Sequence, residues 1–283
     1  MSISVIIPAY KAAATIERAL RSVASQTLKP GEVIVVDDGS DDGTFEAAEN
    51  FKSQLDGIDL KVIGQPNQGA GAARNRAINE ASGTWLAFLD ADDEWLPEKL
   101  SASMQAIEKH ELLLFAHNYI AIQGAKETLV DCAARYHAAA DPFRGLYRKG
   151  YLATSSVVVR RDAVLAAGGF DETLATAQDF DLWLKVLKNK DAVFRVEPLV
   201  LTRYHVTPGS ITSHTKRRLD CSLRIARRHA PGRQDHFYRI IAVHYEAISA
   251  SLNQERPGAA LVYLLSLPGC LLASIFRNGN SSR

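Results

Sequence analysis

Val33-Ile34-Val35-Val36-Asp37-Asp38-Gly39-Ser40 is the stretch that decides the fold. Four β-branched residues in a row make a strand with no polar face, and Asp-Asp-Gly-Ser closes it in a turn. A strand buried on both faces belongs inside a parallel sheet covered by helices. Upstream, Ile3–Ile7 is a second such run, stopped by Pro8. Between the two, Ile16, Ala19, Leu20 and Val23 recur at the spacing of one helix face over Thr15–Ala24. Downstream, a helix over Phe45–Leu55, a strand at Leu60–Ile63, a helix over Ala72–Ala81 and a strand at Trp85–Leu89 continue the alternation. An α/β fold follows, Rossmann-like, with helices on both faces of a mostly parallel sheet. Ligands of such sheets bind at the carboxyl ends of the strands. Here those ends read Pro8-Ala9-Tyr10, Asp37-Asp38-Gly39-Ser40 and Asp90-Ala91-Asp92-Asp93.

The remainder is less regular. Leu112–Ile122 predicts a crossing strand, and a polar, Ala-rich stretch runs from there to about Lys149. Val157–Val159 predicts a strand followed by a helix ending at Gly168-Gly169. Phe180, Trp183, Leu184 and Leu187 mark an amphipathic helix, and Val193–Leu201 is strand-like. From about Ser213 the pattern is helical. It is rich in arginine from Lys216 to Arg239, and strongly apolar over Ala259–Phe276, with a break predicted at Pro268-Gly269.

With 47% hydrophobic and 23% charged residues among 283, disordered, collagen-like and coiled-coil classes are excluded. Cys132, Cys221 and Cys270 form no C-x-x-C, which argues against a disulfide framework or thiolate zinc site and for a reducing compartment. No basic leader precedes the first apolar run, so no signal peptide is expected. The net charge of +1 hides an asymmetry. Residues 1–202 carry 21 Lys and Arg against 28 Asp and Glu, whereas residues 203–283 carry 12 against 4. The front suits a cation and the rear an anionic partner.

Five constellations could carry chemistry. Asp90-Ala91-Asp92-Asp93 packs three mutually repelling carboxylates at a strand end. Hard divalent ions use such groups together with water and phosphate oxygens, although Asp92 or Asp93 could equally cap a helix starting near Pro97. Asp37-Asp38-Gly39-Ser40 suits either a turn or the recognition of a base or ribose. Gly69-Ala70-Gly71-Ala72-Ala73-Arg74-Asn75 is neither G-x-G-x-x-G nor a Walker loop. It suits anion approach at a helix start or close helix packing. Thr176 and Asp179 have capping-box spacing, and Asp179 could instead serve as a general base. Arg203-Tyr204-His205 places a histidine at a strand end.

In combination these residues resemble the family 2 glycosyltransferases of the GT-A fold. The matching runs are Val5–Tyr10, Ser25-Gln26-Thr27, Glu32–Ser40, Asn67-Gln68-Gly69, Ala73-Arg74-Asn75, Phe88–Asp93, Gly168–Glu172 and Gln178–Trp183. The resemblance implies a GT-A domain over 1–212, with a nucleotide-binding half (1–95) and an acceptor-binding half (96–212), and a basic helical extension over 213–283. It implies an inverting transfer of sugar from a nucleoside diphosphate, UDP by default, to a hydroxyl of a glycan or lipid-linked acceptor in polysaccharide or cell-envelope synthesis. By position, Pro8, Ala9, Tyr10 and Asp38 would hold the nucleotide base, Arg74 would lie near base or diphosphate, and Asp90 would face the ribose. Asp92 would bind Mn2+ or Mg2+, helped by His205, and Asp179 would be the base. Gln178 stands where the family usually has Glu, which leaves a module that binds without turnover as the alternative. Nucleotidyl transfer is disfavoured, because no Gly-rich, lysine-bearing loop lies near the start. No nucleic-acid partner is implied, and the loops around Asp131–Tyr151 and Thr154-Ser155-Ser156 would decide the acceptor. For residues 213–283 two readings stand: helices packed beneath the domain, or peripheral contact with the inner, cytoplasmic face of the membrane, with Ala259–Phe276 as an interfacial or partly inserted helix rather than a buried core helix.

Overall fold

In the computed structural model, which describes residues 2–189, 192–206 and 214–276, the predicted alternation is present. β1 (Ile3–Ala9), α1 (Ile16–Ala24), β2 (Glu32–Asp37), α2 (Thr44–Asn50), β3 (Asp59–Gly64), α3 (Ala70–Glu80) and β4 (Trp85–Phe88) follow one another. All four strands are parallel in the order β3-β2-β1-β4, with Val5 beside both Val33 and Ala87. Successive side chains of a strand point to opposite faces. Ile6, Ile34 and Val36 therefore enter one core with Ala73, Ala77 and Ile78 of α3. Val5, Ile7, Val33 and Val35 enter the other with Ile16, Ala19, Leu20 and Val23 of α1. An apolar residue at every position is what two covered faces require.

The sheet then turns mixed. It is built from β5 (Glu94–Trp95), β6 (Leu114–Gln123), β7 (Lys126–Val130), β8 (Val158–Arg160) and β9 (Phe194–His205), and runs on as β4-β8-β6-β9-β5, with β7 on β6. β8 is antiparallel to β4 and β6, whereas β6 and β9 are parallel. Between these strands lie α4 (Lys99–His110), α5 (Cys132–His137), α6 (Pro142–Lys149), α7 (Arg161–Ala166) and α8 (Gln178–Val186). The stretch expected to be irregular before Lys149 thus holds a strand and two helices. These helices are too short to show a 3.6-residue period, but each starts on an aspartate cap. Asp131 accepts from the Ala134 N–H, and Asp141 from the Arg144 N–H with Pro142 behind it.

Three helices follow: α9 (Thr215–His229), α10 (Arg233–Asn253) and α11 (Pro257–Phe276). Cys221, Ile225 and Ala226 of α9 share a core cluster with Phe88 and Trp183, so this helix packs onto the sheet's own core. The boundary predicted between 212 and 213 lies outside the described residues. The break predicted at Pro268-Gly269 does not occur, and α11 runs through it. Proline deprives the carbonyl four residues back of its partner. That residue, Leu264, is 53% exposed, so water can take the place of the lost N–H.

Candidate active site

The carboxyl ends of the parallel strands gather most of the predicted residues. Pro8 and Ala9 end β1, and Tyr10 beyond them is exposed. The Asp38 N–H donates to the Ala9 carbonyl at 2.8 Å, which ties the first two strand ends together. The Asp38 carboxylate is buried and organises the loop before α3. It accepts from Gln65 Nε2 (2.8 Å), the Gln68 N–H (2.9 Å) and the Gly69 N–H (2.7 Å). A carboxylate offers about four acceptor positions, so about one stays open. Gly39 must be glycine here: its φ is +75°, and a Cβ would lie 2.8 Å from the Asn67 nitrogen.

At the end of β4, Arg74 from α3 reaches Asp90 at 2.6 Å, with its guanidinium 5.3 Å from the centre of the Phe170 ring. Asp93 is fully buried, accepting from Ser155 Oγ at 2.5 Å and the His205 N–H at 3.0 Å. Burial pushes its carboxyl well above the usual range, and the charges of Asp90 and Asp92 add to this. Asp92 is half-buried, and its backbone carbonyl accepts from Arg18. The residue before α4 is Glu98, so neither Asp92 nor Asp93 caps that helix. His205 adjoins this turn through its backbone, while its ring Nε2 lies 3.1 Å from Glu94.

Asp179 sits in the first turn of α8. The capping-box explanation for it does not hold, because the residue preceding the helix is Ala177. Thr176 lies one position too early, and its hydroxyl has no partner among the described residues. Ala177 adopts φ +57°, a left-handed conformation that costs a residue with a Cβ about 1 kcal/mol. The Asp179 carboxylate accepts from Thr154 Oγ1 (2.9 Å) and the Phe180 N–H (2.8 Å). Burial raises its pKa and Asp90 adds to the rise, against the pull of Arg74, Thr154 and the Phe180 N–H. Next to it, the Gln178 amide donates to the Leu174 carbonyl and packs on Gly71, where a Cβ would come within 2.8 Å of it. The glycine of the 69–75 motif thus serves close packing of α3 against α8.

Sequence reasoning gives Thr154-Ser155-Ser156 to the choice of acceptor and misses that it joins these parts. Thr154–Ser156, a buried 3-10 turn, places Thr154 on Asp179, while Ser155 donates to Asp93 and accepts from the Asp90 N–H (3.1 Å). The Ser155 carbonyl is held in turn by Trp95 Nε1 and Thr202 Oγ1. Asn75, the last residue of the Gly69–Asn75 motif, has a role of its own. Its side chain clamps the Phe170 backbone at both N–H and carbonyl (2.9 Å each), so that the Phe170 ring lies under Arg74. Further back on α8, Asp181 is fully buried between His229 (2.8 Å) and Arg228 (2.9 Å) of α9 and Lys185 (2.9 Å). A cleft of about 440 Å³, lined by Gln65, Gln68, Asn75, Arg76 and Glu172, adjoins Asp38 through Gln65 and Gln68 but is lined by none of the residues given a catalytic, nucleotide-binding or metal-binding role above.

Among the described residues, no group of three or more His, Cys, Asp or Glu side chains is arranged to hold a metal by itself. The donor set nevertheless fits a hard divalent ion, which needs only one or two protein carboxylates and takes its other oxygens from water and phosphate. Burial raises the Tyr204 hydroxyl, and the nearby carboxyl groups of Asp93, Asp90 and Asp92 add to the rise; such a gathering of carboxyl groups is what a hard divalent ion neutralises.

Known proteins resemble the chain in sequence and in fold. The amylovoran biosynthesis glycosyltransferase AmsB of Erwinia amylovora is 32% identical over 197 residues, covering 66% of this chain and 64% of that protein, just under two thirds of its length. The UDP-Glc:alpha-D-GlcNAc-diphosphoundecaprenol beta-1,3-glucosyltransferase WfaP of Escherichia coli is 29% identical, covering 89% of this chain and 94% of that protein. Among solved structures, the mannosyltransferase PcManGT of Pyrobaculum calidifontis, in complex with GDP-Man and Mn2+, superimposes with a TM-score of 0.68 at 18% identity. It covers 99% of this chain and 88% of that one, a likeness of fold. The family model of Glycosyl transferase family 2 matches residues 4–164, and the chain belongs to that family.

Proposed function

We propose that the chain is an inverting glycosyltransferase that moves a sugar from a nucleoside diphosphate, UDP by default, to a hydroxyl of a lipid-linked or other cell-envelope glycan. The observation that carries this reading is the adjacency of Thr154 and Ser155: one holds Asp179 and the other holds the Asp90–Asp93 turn. A proton acceptor and an anion-handling strand end thereby face one centre, with Arg74 influencing both.

In this mechanism Pro8, Ala9 and Tyr10 border the nucleotide base, and the remaining acceptor position of Asp38 takes a base N–H. Asp90 faces the ribose and keeps Arg74 in place. Asp92, with His205 nearby, would hold Mn2+ or Mg2+, which when bound supplies positive charge against the diphosphate. Arg74 adds a preorganised cation where the leaving group gains charge. Asp179 takes the acceptor proton as the new bond forms on the opposite face of the sugar, a contribution of about 10²–10⁴ in rate. A single carboxylate opposite the leaving group leads to inversion. WfaP, by its name, uses UDP-Glc and a diphosphoundecaprenol acceptor, and PcManGT was solved with Mn2+; both support the chemistry assigned here. We place the enzyme in the cytoplasm at the inner face of the membrane, where such an acceptor is found, with residues 1–95 for the donor and 96–212 for the acceptor.

The test is transfer by the purified chain from a panel of nucleotide sugars with manganese, with product anomeric configuration read by NMR. Asp179→Asn should abolish transfer yet leave donor binding intact. Near-normal turnover by that variant, or a product of retained configuration, defeats the proposal. Donor binding by the unaltered chain without transfer to any acceptor would favour the binding-module alternative.

A further inference from the structure

We infer that α11 and the basic residues at its start form a docking surface for a bilayer that contains anionic phospholipid. The twenty residues of α11 carry no charged side chain. A helix on the surface of a water-soluble domain normally turns polar residues outward. This one turns out leucine instead: Leu261 is 55% exposed, Val262 62%, Leu264 53%, Leu265 70% and Leu272 55%. Its inward side is thin, with Ala260 buried and Tyr263 packed against Leu219, Val243 and Ala247. The preceding helix continues the theme, exposing Phe237, Ile241 and Tyr245 at i, i+4 and i+8 along one face. An exposed apolar face such as that of α11 marks an interaction site.

Charge selects the occupant. Where the start of α9 meets the turn between α10 and α11, a cleft of about 260 Å³ is lined by His214, Lys216, Arg217 and Arg256, beside Ala259 and Tyr263 of α11. Residues 203–283 carry 12 basic side chains against 4 acidic ones. A second copy of the chain would bring the same cations against these. An anionic bilayer instead offers phosphates to the basic cleft and acyl chains to the leucines, the combination by which interfacial helices bind. No described helix is long and apolar enough to cross a membrane. Accordingly α11 lies along the bilayer, with its outward leucines among the upper acyl carbons. The purpose of such a surface rests on the proposed membrane-borne acceptor; its existence does not.

The test is co-sedimentation of the full chain with vesicles of phosphatidylcholine, with and without phosphatidylglycerol. The unaltered chain should bind the mixed vesicles about tenfold more tightly than the neutral ones. The variant L261E/L265E/L272E should lose vesicle binding while keeping transfer to a soluble acceptor analogue, because none of these residues belongs to the catalytic machinery. Lys216→Ala with Arg217→Ala and Arg256→Ala should erase the preference for phosphatidylglycerol. No binding to the mixed vesicles, or binding that the glutamate variant retains, overturns the inference. A dimer in sedimentation velocity that the glutamate variant dissolves, with no vesicle binding by either form, overturns it in favour of self-association. Vesicle binding by a chain that transfers no sugar defeats the proposed function and leaves the docking surface standing.

Discussion

The two ends of the parallel strands treat the same side chain in opposite ways. At the amino end of β2, burial alone would raise Glu32, but Lys61 (2.6 Å), Ser4 (2.6 Å) and Ser82 (2.7 Å) outweigh it and bring its pKa down to about 2. At the carboxyl ends, Asp93 in the turn after β4 and Asp179 near it on α8 are raised by burial with fewer opposing donors. The contrast recurs within α8, where Asp179 is raised and Asp181, two residues on, is lowered. Burial opposes that lowering, but His229, Lys185 and Arg228 exceed it. A carboxylate surrounded by donors holds the fold together. One left short of them is costly to bury, and at the strand ends that cost falls where a reaction would use it.

The sharpest way to break this contrast is Asp179→Asn, which should lower the transfer rate about 10²–10⁴-fold with little change in melting temperature. A large loss of stability instead would put Asp179 in the same class as Glu32. Asp181→Ala should do the reverse. Removing one member of a buried charged cluster costs about 3–5 kcal/mol of folding stability, measurable by denaturant titration. If that variant unfolds at the normal midpoint, α9 is not anchoring α8.

Glu32→Gln should cost about 2 kcal/mol at neutral pH, with the sign set by its depressed pKa. The stabilisation from the ionised group is complete above its ordinary value of 4.5 and is lost as pH falls toward about 2. The gap between variant and parent should therefore close in acid. Thr154→Val removes a donor that opposes the rise of Asp179. The acid limb of the turnover profile should move to higher pH, since the base works only when deprotonated. Smallest of all, Ala177→Gly should relieve the left-handed strain and change stability by about 1 kcal/mol or less.

Much of this was legible in the chain itself. The apolar runs Val5–Ile7 of β1, Val33–Val36 of β2 and Trp85–Phe88 of β4 mark doubly covered strands, and the strand ends carry the acidic and small residues that the site uses. The link that Thr154 and Ser155 make between Asp179 and the acidic turn was not legible. They follow no period, resemble any polar loop, and gain their role only when β8 brings them beside β4. The same holds for Asn75, whose partner Phe170 is 95 residues away. The short helices α5 and α6 escaped periodicity, and Pro268 suggested a break that an exposed helix can avoid. Asp181 looked like one more residue of an amphipathic helix, because its partners lie on α9, about fifty residues further along the chain.

Thr154 and Ser155 are neighbours along the backbone, and consecutive Cα atoms are held about 3.8 Å apart by covalent geometry. The spacing between the proton acceptor and the acidic turn is thus measured out by one peptide unit, which side-chain repacking elsewhere cannot stretch. Loops that choose the acceptor can drift in sequence and length around such a ruler. Descendants of this chain could therefore exchange one sugar partner for another while the distance that governs the chemistry stays constant.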